Sequence, residues 1–471
     1  MNFPYLQTDN KEINTAYRLA IATLAANILP FRDGILTKPE PVIIAGLGYA
    51  TPWTRDAAIN TWNAGALICP EVSRSTLESV LTEKDGPLRI GGEYWDAIIW
   101  VTGAWQQYLC TGDREFLEMA HRASVNSLAY FEATEFDANK NLFRGPACYG
   151  DGIAAYPDVY ARHGTSAIMT FAKENCDLCV ATGVGIPMFA LSTNCLYYHA
   201  YVLADKMAAA LGLPCRTYAE KAARLKEAIN AHFWSEEKQN YTYLCDPFGG
   251  CDHQEGLGAS FALLFGIADE EKAEKVLAHQ HITPHGIPCV WPTFDRYLTP
   301  DHKGYGRHSG TVWPHVQGFW ADAAARRGHR SAFDSEFLAQ TKNAVAHEQF
   351  AEIYHPDTGE IYGGRQEAGN GIIEWIAQPY QTWSATAYLR NVYRNLAGMS
   401  FEEDGIRFAP ISSSLISELT LSNVVYRDAI LTICISGSGS TVAAFLLDDM
   451  PAENLIPCNI KGTHEIRISL D

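Results

Sequence analysis

The chain has 471 residues, of which 47% are hydrophobic and 19% are charged. This composition excludes a disordered or fibrous protein, and the length excludes a single small module. The formal net charge of −18 makes nucleic acid and anionic membrane surfaces poor partners, because their phosphates would be repelled. We therefore expect a small neutral ligand.

The N-terminal segment has no basic start followed by an apolar run, and no stretch approaches the ~18 apolar residues of a membrane-spanning helix. These features indicate a soluble, cytoplasmic protein. The 12 cysteines are spread through helix-like segments, as at Cys110, Cys195 and Cys215. We interpret them as reduced thiols.

Apolar periodicity predicts a mainly helical protein over the first 400 residues. Twelve helices are expected near residues 11–27, 55–68, 71–83, 94–110, 113–131, 192–212, 215–232, 255–266, 270–278, 311–328, 332–349 and 379–398. Their six loose pairs are typical of a toroid of helical hairpins, with an irregular all-helical domain as the alternative. Thr111-Gly112-Asp113 should end one helix and begin the next, and Ser192-Thr193 should cap another.

After about residue 400 the pattern changes to short alternating runs separated by Gly/Ser turns. The clearest runs are 419–421, 429–435 and 465–468. They predict a small C-terminal β-sandwich that is a structural appendage. The expected domains are therefore 1–399, which is helical and catalytic, and 400–471.

The long loops at 134–191, 284–310 and 351–378 carry the predicted chemistry. Asp151 lies between two glycines in the first loop, and Glu352 stands just before a Pro-Gly turn in the third. Two carboxylates that face each other across a pocket are what hydrolysis of a glycosidic bond requires, one as acid and one as base. An isolated Asp between glycines is also a common turn residue.

Aromatic residues beside charged ones occur at several predicted loop–helix junctions. Such pairs suit a sugar, which has apolar faces for stacking and a rim of hydroxyls. Tryptophans inside helices, such as Trp62, Trp100, Trp105 and Trp320, are interpreted as core. The junction motifs are Trp53-Thr54-Arg55-Asp56, Tyr94-Trp95-Asp96, Trp291-Pro292, Trp313-Pro314-His315, Trp375 and Trp383.

Three of these segments resemble the inverting α-glucosidase-type enzymes of glycoside hydrolase family 63 and related debranching-like families. They are the Trp53-Thr54-Arg55-Asp56 run, Ser309-Gly310-Thr311-Val312-Trp313-Pro314, and 350–359 followed by Gln381-Thr382-Trp383-Ser384-Ala385. The resemblance spans residues 11–398. It implies an (α/α)6 barrel and hydrolysis of an α-glycoside, most simply an α-glucoside, from the chain end with inversion.

The resemblance also implies roles for individual residues. Glu352 is expected to be the general base and Asp151 the general acid, although the Tyr-Gly-Asp-Gly setting of Asp151 departs from the family pattern. A raised pKa at Asp151 is expected to accompany the acid role. The expected substrate-binding residues are Trp53, Arg55, Asp56, Trp95, Asp96, Arg144, Trp291, His308, Trp313, Glu374, Gln381 and Trp383.

Other functions on the same toroid remain open from the sequence. They are a sugar epimerase or isomerase, a phosphorolytic enzyme, and an inactive carbohydrate-binding protein. Glu174, Glu255, Glu367 and Glu374 are rival carboxylates. No Gly-rich phosphate loop is present and the cysteine and histidine pairs lack zinc spacing, so we expect neither a cofactor nor a metal.

Overall fold

The computed structural model describes residues 3–84, 86–162, 164–179, 185–301, 303–369, 371–439 and 441–471. Within them, the predicted mainly helical architecture is confirmed. The main helices are α1 (Lys11–Ala26), α2 (Thr54–Asn60, continued by a π-helical turn Thr61–Gly65 and by Ala66–Ile68), α3 (Pro70–Glu78), α4 (Trp100–Thr111), α5 (Arg114–Glu135), α6 (Leu191–Leu211), α7 (Ala219–Phe233), α8 (Gly256–Leu264), α9 (Glu270–His279), α10 (Pro314–Arg326), α11 (Arg330–Ala346) and α12 (Thr382–Arg390, continued by a π-helical turn Asn391–Leu396).

The even-numbered helices form a closed inner ring. Each of them contacts the next, from α2 to α12, and α12 contacts α2. Helices α1, α3, α5, α7 and α11 pack against these inner helices. The aromatic rings of Trp62, Phe261 and Phe319 meet inside the ring, with centroids 4.8 Å apart for Trp62–Phe319 and 5.2 Å for Phe261–Phe319.

Several helix ends follow from local chemistry. The side chains of Asn10, Asp113 and Asp269 accept hydrogen bonds from the first-turn N–H groups of α1, α5 and α9. Gly112 ends α4 in the left-handed conformation with φ of 71°, as predicted. The prediction that Ser192-Thr193 caps a helix is wrong, because α6 begins at Leu191 and the Ser192 hydroxyl accepts from the Cys148 N–H instead.

The C-terminal segment is mainly β, as predicted. A mixed six-stranded sheet has the spatial order Tyr5–Thr8, Glu418–Tyr426, Asp428–Gly437, Lys461–Leu470, Val442–Leu447 and Met450–Pro451. Its first strand comes from the N-terminus, which the sequence analysis did not foresee. A three-stranded sheet, Met399–Phe401, Gly405–Phe408 and Leu455–Pro457, packs on it where Phe408 meets Phe445 at 5.8 Å between ring centroids.

The loops between helices contain short strands and helical turns. Among the described residues, none of the helices combines the length and the apolar character that crossing a bilayer requires. The helical turns are Ala97–Ile99, Ile153–Ala155, Asp158–Ala161, Ile168–Thr170, Phe171–Glu174 and Asp295–Tyr297. The strands are Ile28–Phe31, Glu40–Ile43, Leu81–Thr82, Arg89–Ile90, Phe136–Asp137, Leu142–Phe143, Phe189–Ala190, Trp234–Ser235, Asn240–Tyr241, Leu244–Cys245, Gln254–Glu255, Val290–Trp291, Arg365–Ala368 and Gly371–Glu374.

Candidate active site

A cavity of about 240 Å³ lies where the inner helices begin. In consecutive helical hairpins every outer helix returns the chain to the same end, so the inner helices present their first turns together. Trp53 precedes α2, Trp313 precedes α10, and Trp383 lies in the first turn of α12. The predicted site residues that line the cavity are Trp53, Arg55, Asp56, Asp151, His308, Trp313, Glu352, Gln381 and Trp383.

Glu352 is the most firmly held carboxylate in the cavity. Its segment is paired with the chain just before α10, through hydrogen bonds between Val312 and Tyr354 of 3.1 and 2.9 Å. The Tyr49 hydroxyl donates to Glu352 Oε1 at 2.8 Å, and Arg307 Nη2 donates to Oε2 at 2.7 Å. The Gln378 N–H also donates to Oε2, at 3.0 Å. The side chain is therefore buried, with a fixed orientation.

Asp151 is held differently, on the long loop between α5 and α6. Its Oδ2 accepts from Arg55 Nη2 at 2.9 Å, and its side chain remains 40% exposed. The nearest histidine, His308, has its Nε2 3.6 Å from Asp151 Oδ1, which is too long for a hydrogen bond. Asp151 thus has one strong partner and an open side.

The Arg55 guanidinium is itself fixed from behind. Its Nη1 donates to Asp96 Oδ2 at 2.8 Å and lies 3.6 Å from Glu93 Oε2. Asp96 is completely buried. This carboxylate therefore supports Arg55, and it does not line the cavity.

The protonation of Asp151 differs from the sequence expectation. Burial raises the pKa of this carboxyl, but the positive charge and hydrogen bond of Arg55 outweigh it and hold the pKa below its ordinary value. A raised pKa was expected for a general acid. Asp151 is therefore ionised at neutral pH while the Arg55 contact persists.

Two neighbouring groups have shifted pKa values that reduce their charge at neutral pH. Burial raises the pKa of Asp56 to about 7, against the opposing effect of Arg55, and the charges of Asp151 and Glu352 raise it further. Burial also lowers the pKa of His308 to about 3, so its ring is uncharged at neutral pH. Asp56 can consequently donate as well as accept a hydrogen bond inside the cavity.

The cavity wall is aromatic. The Trp313 indole stacks on the His308 ring at 4.9 Å between centroids and meets Trp383 edge-on at 5.9 Å. Trp53 is 42% exposed at the mouth. The Arg307 guanidinium lies 5.5 Å from the Trp313 ring and 5.9 Å from the Trp375 ring. Flat apolar faces therefore stand beside charged hydrogen-bonding groups.

The glycine after Asp151 has a packing role that the sequence analysis did not identify. A Cβ at Gly152 would approach Gln366 Oε1 to 2.3 Å and the His308 ring to 2.4 Å. Glycine at this position lets the loop that carries Asp151, which we call the acidic loop, pack closely against both side chains. Gly152 therefore permits close packing against the cavity wall.

Four other predicted binding residues do not line the cavity. Trp95 lines a neighbouring groove, and Arg144 lies 3.4 Å from Asp137. Trp291 stacks on His281 at 4.1 Å between centroids, and Glu374 is exposed at the end of a hairpin strand.

The sequence analysis missed the residues that hold Glu352. Arg307 directly precedes the predicted His308, and Tyr49 lies four residues before Trp53. Gln366 and Met169 also line the cavity and were not predicted. The only sequence signal for Arg307 and Tyr49 was that each lies within four residues of a predicted site residue.

Two carboxylates from distant loops, each bound to its own arginine, thus share a small aromatic cavity. A pair of carboxylates in such a cavity is compatible with hydrolysis of a glycosidic bond. The chain matches the family described as mannosylglycerate hydrolase MGH1-like glycoside hydrolase domain over residues 93–384. Because this match covers more than half of the sequence, the chain belongs to that family, and the predicted resemblance is confirmed.

Solved structures of other proteins have the same fold. The GH63 mannosylglycerate hydrolase from Thermus thermophilus, in complex with glucose, has a TM-score of 0.58 at 16% identity and covers 80% of this chain and 100% of its own. A GH78 rhamnosidase of Bacillus sp. GL1 has a TM-score of 0.59 at 14% identity, covering 100% of this chain and 44% of its own. At these identities the likeness shows the fold alone, and that fold implies the (α/α)6 toroid.

One curated relative has a different activity. The N,N'-diacetylchitobiose phosphorylase of Vibrio proteolyticus is 24% identical over 208 residues, which are 40% of this chain and 26% of that protein. The chain therefore spans about a quarter of the length of the curated relative it matches.

Proposed function

We propose that the chain hydrolyses the α-glycosidic bond of a terminal sugar with inversion, Asp151 acting as general acid and Glu352 as general base. The observation that supports this proposal best is the contrast between two carboxylates in one cavity, one buried and triply hydrogen-bonded, the other open on one side. The alternative of a binding protein does not require such a pair.

In this mechanism Glu352 accepts a proton from a water molecule that attacks the anomeric carbon. Asp151 gives its proton to the glycosidic oxygen on the opposite face of the ring. Inversion requires the carboxyl groups to be about 6.5–9.5 Å apart, so that the water fits between base and sugar. The bond to the leaving oxygen breaks as the water oxygen bonds to carbon, and an α-linked substrate releases the β anomer.

Asp151 can donate a proton only when its contact with Arg55 is loosened. We propose that sugar hydroxyls entering the cavity take over Arg55 Nη2, which now donates to Asp151 at 2.9 Å. Asp151 would then lose the Arg55 hydrogen bond, and its close contact with the positive charge would be weakened, so its pKa would rise. Asp56, with a pKa of about 7, would bind hydroxyls on the same ring as either donor or acceptor.

The cavity favours a small terminal sugar. Its volume of about 240 Å³ is below the about 300–1,000 Å³ of pockets that enclose drug-sized ligands. An α-glucoside is the proposed substrate, as the family 63 resemblance implies. The name of the Thermus relative adds mannosylglycerate as the first alternative to test. We also propose that the chain divides into a helical domain, 1–399, and a C-terminal β-sandwich, 400–471, to which the strand Tyr5–Thr8 is added from the N-terminus.

Phosphorolysis is the second candidate, because a phosphorylase is among the relatives. A phosphorylase replaces the water by phosphate, an anion that the buried Glu352 carboxylate would repel. The geometry around Glu352 therefore favours water as the nucleophile.

The test is a panel of α-linked disaccharides and α-glycosides of glyceric acid, incubated with and without inorganic phosphate. We expect free reducing sugar at a rate independent of phosphate. A sugar 1-phosphate formed only with phosphate would establish phosphorolysis instead. Tight binding without turnover of any member would indicate an inactive carbohydrate-binding protein.

A further inference from the structure

A larger groove adjoins the active-site cavity on the same end of the helical ring. Its volume is about 1,090 Å³, against about 240 Å³ for the cavity. It is formed by the end of α5, the start of α2 and the segments 79–84 and 89–95. We call it the α2–α5 groove. None of the catalytic roles proposed above uses it.

The α2–α5 groove and the cavity share two lining residues, Trp53 and Met169. Met169 lies on a segment that is hydrogen-bonded to the acidic loop, since the Ile168 N–H donates to the Asp151 carbonyl at 2.8 Å. The groove therefore begins on the Asp151 side of the cavity. A general acid protonates the leaving oxygen, so this is the side from which the leaving group departs.

The groove wall offers aromatic surfaces. Tyr130, in the last turns of α5, is 47% exposed, and the Arg89 guanidinium lies 3.9 Å from its ring centroid. Phe131 packs against Tyr130 at 5.7 Å between centroids. Exposed aromatic rings fixed by neighbours are surfaces on which the apolar faces of sugar rings stack.

Hydrogen-bonding groups accompany these rings. The Trp95 indole N–H has no partner among the described residues, although the side chain is only 2% exposed and lines the groove. A buried donor without a partner is costly.

The charge of the groove is unsuited to an anion. Among the described residues that line it, Asp33, Glu83, Glu93 and Glu135 are acidic, whereas Lys84 and Arg89 are basic. The excess of carboxylates disfavours a negatively charged leaving group and is compatible with a neutral one.

We propose that the α2–α5 groove is the leaving-group subsite and takes a neutral saccharide of one or more rings. The inference rests on the proposed glycosidase function and specifies its substrate as an α-linked oligosaccharide. Trp53 and Met169 then mark the position where the chain passes from the terminal sugar to the rest of the substrate.

The test compares two substrates that share the terminal sugar. An α-glycosyl fluoride has a leaving group too small to reach the groove, whereas an α-linked trisaccharide fills it. For Tyr130→Ala we expect kcat/KM on the trisaccharide to fall about 3- to 10-fold, mainly through KM, with kcat/KM on the fluoride unchanged. Tyr130→Phe keeps the ring and should behave as wild type.

Tyr5→Ala is the matched control, because Tyr5 is an exposed tyrosine on the C-terminal sheet. It should change neither rate. Equal trisaccharide rates for Tyr130→Ala and wild type would overturn the inference, as would a wild-type preference for an α-glycoside of glyceric acid over the trisaccharide. If wild type cleaves neither the fluoride nor any saccharide, the proposed function itself fails, which is a distinguishable result.

Discussion

The two carboxylates of the cavity have opposite surroundings. Glu352 is buried and receives three hydrogen bonds from three separate segments, through Tyr49, Arg307 and the Gln378 N–H. Asp151 lies on a loop, is 40% exposed and has one strong partner, Arg55. A base benefits from fixed donors that keep it ionised before the reaction, whereas an acid must carry a proton at that stage.

This difference explains why only one side of the site has to change during the proposed reaction. On the Glu352 side, the proposed base already has its fixed hydrogen-bond donors. The Asp151 side is held in its ionised form by Arg55, and a substrate must compete for that arginine. The following predictions separate the two sides.

The largest effects are expected for the carboxylates themselves. Glu352→Gln removes the base and should lower turnover of both α-glycosyl fluoride and disaccharide by about 1,000-fold or more. Asp151→Asn should lower disaccharide turnover by about 100- to 10,000-fold but have a much smaller effect on the fluoride, which departs without a proton. The measurement is kcat on both substrates.

Glu367→Gln is a control, because the buried Glu367 lies outside the cavity and pairs with Arg296 at 2.9 Å. Any loss of rate in Glu367→Gln should be similar for the fluoride and the disaccharide. Similar losses on both substrates for Asp151→Asn would contradict its role as acid. A near-wild-type Glu352→Gln enzyme would contradict its role as base.

Removing the partner of Glu352 should have the next largest effect. Arg307→Gln deletes a charge-assisted hydrogen bond of 2.7 Å to a buried carboxylate. Such bonds contribute about 1.5–3 kcal/mol, so kcat/KM should fall about 10- to 100-fold on both substrates. Tyr49→Phe, which removes the 2.8 Å bond to the other oxygen, should cause a smaller loss. Loss on the disaccharide alone would show that Arg307 serves the acid.

The Arg55 contact predicts a shift in pH dependence. Arg55 lowers the pKa of Asp151, so Arg55→Gln should raise that pKa and keep the acid protonated to higher pH. The alkaline limb of the kcat/KM profile should therefore move to higher pH, alongside a loss of rate. Arg55→Lys keeps the positive charge and should shift the alkaline limb less. An unmoved limb in a folded Arg55→Gln variant would refute this coupling.

The smallest effect concerns stability and not catalysis. Burial raises the pKa of Glu255 to about 8, so the folded protein keeps a proton that the unfolded chain releases near pH 4.5. Wild type should lose stability as pH rises between these values. Glu255→Gln keeps an acceptor for the Ser192 N–H and removes this loss. Between these pH values, the unfolding free energy of the variant should rise relative to that of wild type by at most about 1.4 kcal/mol per pH unit.

Urea unfolding of both proteins at pH 5, 6.5 and 8 would measure this gain. A difference in unfolding free energy that does not change with pH would show that Glu255 has an ordinary pKa in the folded chain.

The sequence predicted what is determined locally. The twelve main helices follow from apolar periodicity, and the end of α4 follows from Gly112. The strand Tyr5–Thr8 was not predicted, because its partner strand, Glu418–Tyr426, is some 400 residues away in the sequence. Ser192 was predicted to cap a helix, but its hydroxyl accepts a hydrogen bond from the Cys148 N–H of the acidic loop.

The predicted residues that line the cavity come mostly from recognisable motifs. Trp53, Arg55, Asp56, Trp313 and Trp383 line the cavity because their motifs begin inner helices. Arg307 and Tyr49 were missed, since their importance comes from contacts with Glu352 that only the folded chain creates. Arg144, Trp291 and Glu374 were predicted because they lie in the long loops, but they are outside the cavity.

The most direct test of the central claim is the configuration of the first sugar released. Proton NMR of the anomeric signals during rapid hydrolysis of an α-linked substrate distinguishes the two anomers before they equilibrate. With Asp151 as acid and Glu352 as base, the β anomer should appear first. Initial release of the α anomer would mean retention, with a covalent intermediate in place of a directly attacking water, and would contradict the account.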